Sequence, residues 1–199
     1  MNIDPIIKIM KLSNRLRAIE RVVQIKGRAS YENDAEHSYQ LALVCWQIAE
    51  HLKLKVDLAK IFQYALAHDL VEVYAGDTPA FTASKEHIQS QHEREEQALI
   101  ELKKDYKEFP EMIQAIENFE AEKDTESKLV RLLDTFIPTL NVSIDQGTFY
   151  KDHGITLEKY TEMRGGKIDG IDFKTAGLDD LLQALMSYFE EQKEELFAG

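Results

Sequence analysis

His68 and Asp69 stand side by side at the head of the run His-Asp-Leu-Val-Glu-Val-Tyr-Ala-Gly-Asp-Thr-Pro, which ends at Pro79. An imidazole next to a carboxylate offers a divalent ion one borderline and one hard donor. Adjacent side chains on a helix diverge by about 100°, so such a pair shares an ion only where the chain passes close to it and other elements complete the shell. His37, in Asn-Asp-Ala-Glu-His-Ser, and Asp134, in Lys-Leu-Val-Arg-Leu-Leu-Asp, are the candidates for completing it. Each lies in a largely apolar, helical context where a polar side chain without a partner is costly. His37, His68, Asp69 and Asp134 are therefore read as one metal site.

Two imidazoles and two carboxylates suit Mn²⁺, Co²⁺, Fe²⁺, Ni²⁺, Mg²⁺ or Zn²⁺ better than they resemble a closed thiolate zinc site. Four protein donors on an octahedral ion leave room for water and a substrate oxygen. The ion acidifies the water and neutralises charge on a phosphoryl oxygen, so the expected chemistry is hydrolysis of a phosphoester. Glu72 follows His68 by four residues and shares its helical face, a position suited to orienting the water or moving its proton. Asp77, just after Gly76, is a candidate for protonating the leaving oxygen or binding a sugar hydroxyl.

The elements that must position these groups read as helix after helix. Apolar residues at Ile6, Ile7, Ile9, Met10, Leu12, Leu16 and Ile19 predict a helix over 3–23. Asn33 or Asp34 can cap the next, which runs through His37 to about Leu52. The doublet helix is expected over 56–73, a charged helix over 85–106, and another from Pro110 to Ala121. Thr125 reads as a cap for the Asp134 helix, which continues to about Asp145. The stretch 147–177 looks least regular, with turns at Gly165-Gly166 and Asp169-Gly170 and room for a short strand or hairpin. A last amphipathic helix is expected over 178–197. The fold expectation is all-α, a helical bundle in one domain over 1–199 with its core at about 15–145.

Bulk properties narrow the function. The 199-residue chain is 44% hydrophobic and 30% charged, as globular proteins are. Its net charge of −12 argues against nucleic-acid polymers and anionic membrane surfaces as partners. A small anionic substrate then needs a metal and local Arg or Lys groups to reverse the field. The one cysteine, Cys45, lies in an apolar run and reads as a buried hydrophobe. No apolar stretch reaches membrane-spanning length, and a cytoplasmic location is expected. Trp46 reads as core, and Phe119, Phe136, Phe149 and Tyr150 as core or dimer contacts rather than a base-stacking platform. Arg94 reads as a surface ion-pair partner.

The order His37, then His68-Asp69, then Asp134 resembles that of the HD-domain metal-dependent phosphohydrolases. The run from His68 through Glu72, Gly76 and Asp77 to Pro79 is similar to the signature of their 5'-deoxynucleotidase branch, YfbR-like and HDDC2-like. Glu36-His37-Ser38, Lys85 with Arg94-Glu95-Glu96, and the segment Lys128 to Asp134 also look like that branch. The resemblance spans residues 15 to 145. It implies an HD-domain helical bundle, commonly a homodimer, that removes phosphate from deoxynucleoside 5'-monophosphates with one divalent ion. His37, His68, Asp69 and Asp134 would be the ligands, and Glu72 and Asp77 the catalytic acids. Members usually carry an Arg, often followed by Trp, before the first His; here Arg17, Arg21, Lys26 and Arg28 precede it without a Trp. The spacing favours Arg21 or Arg28 for the substrate phosphate. Other small phosphoesters, signalling nucleotides among them, and a non-catalytic metal-stabilised binding protein are the competing readings.

Overall fold

The computed structural model describes residues 2–24, 30–77 and 90–199. Helix α1 (Asp4–Leu16) starts with a proline in its first turn and buries Leu12 and Leu16, leaving Ile3, Ile6, Ile7 and Met10 exposed. The helix expected to run on to residue 23 stops at Leu16. Residues 20–24, Glu-Arg-Val-Val-Gln, instead form strand β1 (Glu20–Gln24), antiparallel to β2 (Tyr31–Asn33). The β-branched Val22-Val23 pair favours the extended chain once a partner strand is at hand. The pairing matches Glu20 with Asn33 and Gln24 with Tyr31, with an irregularity between them.

Strand β2 runs directly into helix α2 (Asp34–His51). Asn33 Oδ1 accepts from the amides of Ala35 (3.1 Å) and Glu36 (3.0 Å), and Glu36 Oε2 accepts from the Asn33 amide (3.2 Å). This capping box fixes where Asp34 and His37 point. Helix α3 (Leu58–Ala67) is capped by Asp57 and packs on α2. A short helix α4 (Glu72–Ala75), then α5 (Gln91–Asp105) and α6 (Pro110–Ala121), follow. The charged helix thus begins at Gln91 among the described residues; Lys85 lies outside them. Helix α7 (Thr125–Ile144) is the central rod, buried from Leu129 through Thr139 except where Arg131 reaches the surface. Its cap is Asp124 rather than Thr125: Asp124 accepts from the Ser127 amide at 2.9 Å and from the Tyr64 hydroxyl at 2.9 Å, tying α7 to α3.

The segment expected to be irregular is helical. Helices α8 (Thr148–Asp152), α9 (Leu157–Ile168), α10 (Asp179–Glu191) and α11 (Lys193–Leu196) cover the flank of α7. Gly165 and Gly166 lie inside α9 and make no turn, because Thr156 caps this helix and its Leu157 and Tyr160 face the core. The expected final helix is divided at Gln192 into α10 and α11. An aromatic cluster holds this layer: Tyr150 stacks on Phe197 at 5.2 Å, Tyr160 meets Phe197 at 5.3 Å, and Phe136 stacks on Phe189 at 5.8 Å. Gly147, at φ 74°, sits where a side-chain Cβ would lie 2.2 Å from the Leu196 carbonyl oxygen. Close backbone approach and left-handed conformation both require glycine there.

Trp46 departs from its expected core position. It is 39% exposed and meets Phe62 of the following helix edge-on at 5.9 Å. Phe119, Phe136 and Tyr150 are buried and Cys45 is fully so. Among the described residues no helix is long and apolar enough to cross a membrane. The architecture is an all-α bundle with one small two-stranded sheet.

Gly166 is exposed and a Cβ there meets nothing within 4 Å. Its cost in α9 is then one of helix propensity alone. Gly166→Ala should raise the unfolding free energy by roughly 0.5–1 kcal/mol in urea titrations; no change or a loss would show that the glycine pair has another task.

Candidate metal centre

Helix α3 ends at Ala67, so the doublet sits at and just beyond its C-terminus rather than inside a helix running to residue 73. The turn is tightened by bonds from the Leu70 amide to the Ala67 carbonyl (3.1 Å) and from the Glu72 amide to the Asp69 carbonyl (2.9 Å). That change of winding resolves the geometric difficulty of adjacent residues sharing a ligand. His68 Nε2 and Asp69 Oδ2 end 2.9 Å apart.

The other two side chains converge on the same point. His37 Nε2 is 3.0 Å from Asp134 Oδ1, and His68 Nε2 is 3.6 Å from that same oxygen. The two imidazole centroids are 5.5 Å apart. Ligand atoms of His37, His68 and Asp69 all lie within 4.8 Å of one another. His68 Nδ1 lies 3.1 Å from the Ala65 carbonyl, which can only accept, so the proton belongs on Nδ1 and Nε2 presents its lone pair to the cluster. Within the chain alone, His68 Nε2 is buried with no well-formed hydrogen bond. The donor set therefore fits a divalent cation, which satisfies two lone pairs and two carboxylates at once.

Charge distribution agrees. Burial alone would lower the His68 pKa, but Asp69 and Asp134 outweigh it and raise the imidazole to about 10. His37 goes the other way, to about 4, through burial and the neighbouring Arg21. Burial opposes ionisation of Asp69 and Asp134, yet the imidazoles, with Arg21 in the case of Asp69, hold both below the usual carboxylate range. Both acids are therefore anionic, and in the metal-free cluster they draw onto His68 a proton that a bound cation would displace from Nε2.

Arg21, on β1, is bonded to carboxylates. Its Nη1 donates to Asp34 Oδ1 (3.1 Å) and Asp69 Oδ2 (2.9 Å), while its Nε is 3.8 Å from Glu32. Arg28 lies outside the described residues, as do Thr78 and Pro79 of the motif. Sequence reasoning saw Asp34 only as a helix cap and did not single out Glu32. Both are buried at this site, and Glu32 Oε2 sits 3.7 Å from His37 Nδ1. The signal available was an acid-rich Glu-Asn-Asp-Ala-Glu run leading into His37. Asp34, Asp69 and Glu72 form a second cluster of carboxylates, with Arg21 seated in it. Burial first, then Asp69, Asp34 and Asp77, raise the Glu72 pKa well above its ordinary value. Asp34 is raised to about 6 by burial and Asp69, and Glu32 to about 7 by burial against the opposing pull of Arg21.

The cluster opens into a cavity of about 330 Å³ whose lining includes Arg21, Glu72, Asp77, Phe119, Tyr150 and Lys167. Asp77 reaches it across Gly76, which takes φ 75° and donates to the Glu72 carbonyl at 2.7 Å. Arg94 Nη1 donates to the Ala75 carbonyl at 2.8 Å, so the residue read as a surface ion-pair partner braces the turn that carries Asp77.

Fold and donor set meet in one class. The chain matches the family model described as HD domain over residues 13–174, and it belongs to that family. A crystal structure from Magnetospirillum magnetotacticum described as a "predicted metal-dependent phosphohydrolase" is similar at TM-score 0.73 and 23% identity, covering 98% of this chain and 96% of that one. An HD-domain phosphohydrolase from Listeria innocua is similar at TM-score 0.59 and 20% identity, covering 96% and 97%. A conserved hypothetical protein from Pyrococcus furiosus is similar at TM-score 0.60 and 24% identity, covering 91% and 99%. No curated protein matches the chain.

Metal binding should stabilise the fold. At about 100-fold its dissociation constant, Mn²⁺ or Zn²⁺ should add about 2.7 kcal/mol, read as a higher melting temperature that EDTA reverses. His68→Ala should remove most of that gain, and an equal gain in the variant would place the ion elsewhere. In the metal-free protein, Glu32 binds its proton more tightly folded than unfolded. Its contribution is present below about 4.5 and lost as pH rises through about 7. Stability of Glu32→Gln should therefore fall less than that of the parent across that window in pH-resolved melts.

Proposed function

We propose that this chain is a metal-dependent phosphomonoester hydrolase acting on deoxynucleoside 5'-monophosphates. The observation that carries the reading is the convergence of His37, His68, Asp69 and Asp134 on one point at the head of a cavity lined by both acids and cations. These four residues would hold the ion; a divalent cation there supplies an acidified water and neutralises charge on the phosphoryl oxygens.

The remaining steps belong to side chains of the chain. Glu72 stands beside Asp69, and burial together with Asp69, Asp34 and Asp77 holds its pKa well above the ordinary carboxylate value. With a cation held by His37, His68, Asp69 and Asp134, Glu72 would be placed to accept a proton from the attacking water. Asp77 faces the same cavity from the following turn and is positioned to protonate the leaving oxygen or bind a sugar hydroxyl. Arg21 holds Asp69 in place through its hydrogen bond, and its guanidinium lines the cavity that would receive the substrate phosphate. A purely structural metal staple has no need of Glu72 and Asp77, which favours the catalytic reading over a non-catalytic binding protein. The deoxyribose preference rests on the sequence resemblance at His68 to Pro79.

Phosphate release from a panel of deoxy- and ribonucleoside monophosphates, with Mn²⁺ or Co²⁺ against EDTA, tests this. Deoxynucleotides should be turned over, Asp69→Ala should abolish the activity, and Glu72→Gln should lower kcat by about 10² or more with metal content kept. Metal-loaded protein that releases phosphate from none of them would overturn the proposal.

A further inference from the structure

The C-terminal layer carries the other side of the cavity, and it is cationic. Arg164 and Lys167, on α9, and Arg131, on α7, line the same space as His68, Asp69 and Asp134. Arg131 is committed elsewhere: its Nε donates to Glu122 at 2.7 Å, its Nη2 to Glu120 at 3.0 Å, and its guanidinium lies 4.1 Å over the Phe119 ring. Lys167 is different. Its side chain is open to the cavity, and among the described residues it makes no hydrogen bond or ion pair.

Arg164 is held for this position. It is 7% exposed and lies 5.7 Å over the ring of Tyr160, which packs against Tyr150 at 5.9 Å. Arg164 and Lys167 are three residues apart on a helix and so share a face, and the two residues between them are glycines with no side chain to crowd it. In a chain of net charge −12, two cations gathered at one wall of a cavity attract an anion there rather than a neutral group. The acids that share the lining are partly accounted for: Glu120 and Glu122 by Arg131, Asp69 by Arg21 and His68.

We propose that Arg164 and Lys167 form an anion-binding wall that takes a phosphate group of the substrate. This rests on the hydrolase reading for the word substrate, but not for the binding itself. Two sources of the phosphate are possible chemically: the reacting group, clamped between metal cluster and α9, or a second phosphate on the same molecule. Arginine supplies a planar fork and lysine a point charge, a pairing suited to a dianionic phosphate.

Calorimetric titration of Mn²⁺-loaded protein carrying Glu72→Gln, which suppresses turnover, gives affinities for inorganic phosphate, deoxyadenosine 5'-monophosphate and deoxyadenosine 3',5'-bisphosphate. Adding Lys167→Gln should weaken at least one of them ten-fold or more, with Mn²⁺ content and melting temperature unchanged. Lys167→Arg should restore most of the loss, and Arg164→Lys, which keeps the charge but not the fork, should lose several-fold. Weakening of phosphate and monophosphate together assigns the wall to the reacting group; weakening of the bisphosphate alone assigns it to a second one. Affinities for all three within two-fold of the parent in both Lys167→Gln and Arg164→Lys overturn the proposal. A parent that binds none of the three probes overturns it as well. Turnover by the chain without Glu72→Gln is measured separately, so loss of the hydrolase reading and loss of the wall are distinguishable.

Discussion

Five carboxylates brought into or beside one buried region must be balanced by positive charge, and the rest of the molecule is arranged around that demand. Glu32, Asp34, Asp69, Glu72 and Asp134 crowd together with two imidazoles and one guanidinium. Arg21 neutralises the outer acids, Asp34 and Asp69. The inner point, where two imidazole nitrogens and two carboxylate oxygens face one another, asks for a dication that no side chain replaces. Each of the main elements brings one part: β1 the arginine, β2 and α2 the acids and His37, the end of α3 the doublet, α7 Asp134.

Such a cluster survives only if its members cannot relax away from each other. The capping box at Asn33 fixes the entry into α2, and the bond from the Asp34 amide to the Ile19 carbonyl (3.1 Å) ties that entry to the segment before β1. Asp124 joins α3 to α7 through Tyr64, which keeps His68 opposite Asp134. Pro138, one turn beyond Asp134, has no amide hydrogen to give the Asp134 carbonyl, so one rung of the α7 hydrogen-bond ladder is missing beside the cluster while the helix runs on. Stiffness is concentrated at the joints that set distances between ligand atoms.

The convergence of His37, His68, Asp69 and Asp134 could be read in the chain because histidines and aspartates in apolar helical runs are conspicuous, and because their order resembles a known pattern. The limits of α2, α6 and α7 were legible for a related reason: caps, Pro110 and apolar periodicity are local signals. What was hidden depends on contacts distant in sequence. Residues 20–24 carry helix-compatible spacing, and only pairing with β2 makes them a strand. The break at Ala67 follows from packing, as nothing in Ala-His-Asp-Leu stops a helix. Gly165-Gly166 looked like a turn because glycine is a weak helix former, yet Leu157 and Tyr160 anchor α9 in the core. Arg164 and Lys167 drew no notice because one arginine and one lysine beside a glycine pair have no local signature; only the folded chain brings them opposite Asp134.

Phe197 lies between Tyr150 and Tyr160, and Tyr160 supports Arg164 one turn further along α9. Removing the Phe197 ring would take away packing from both tyrosines and so loosen the support of Arg164, while leaving in place the imidazoles and carboxylates that face one another across the cavity.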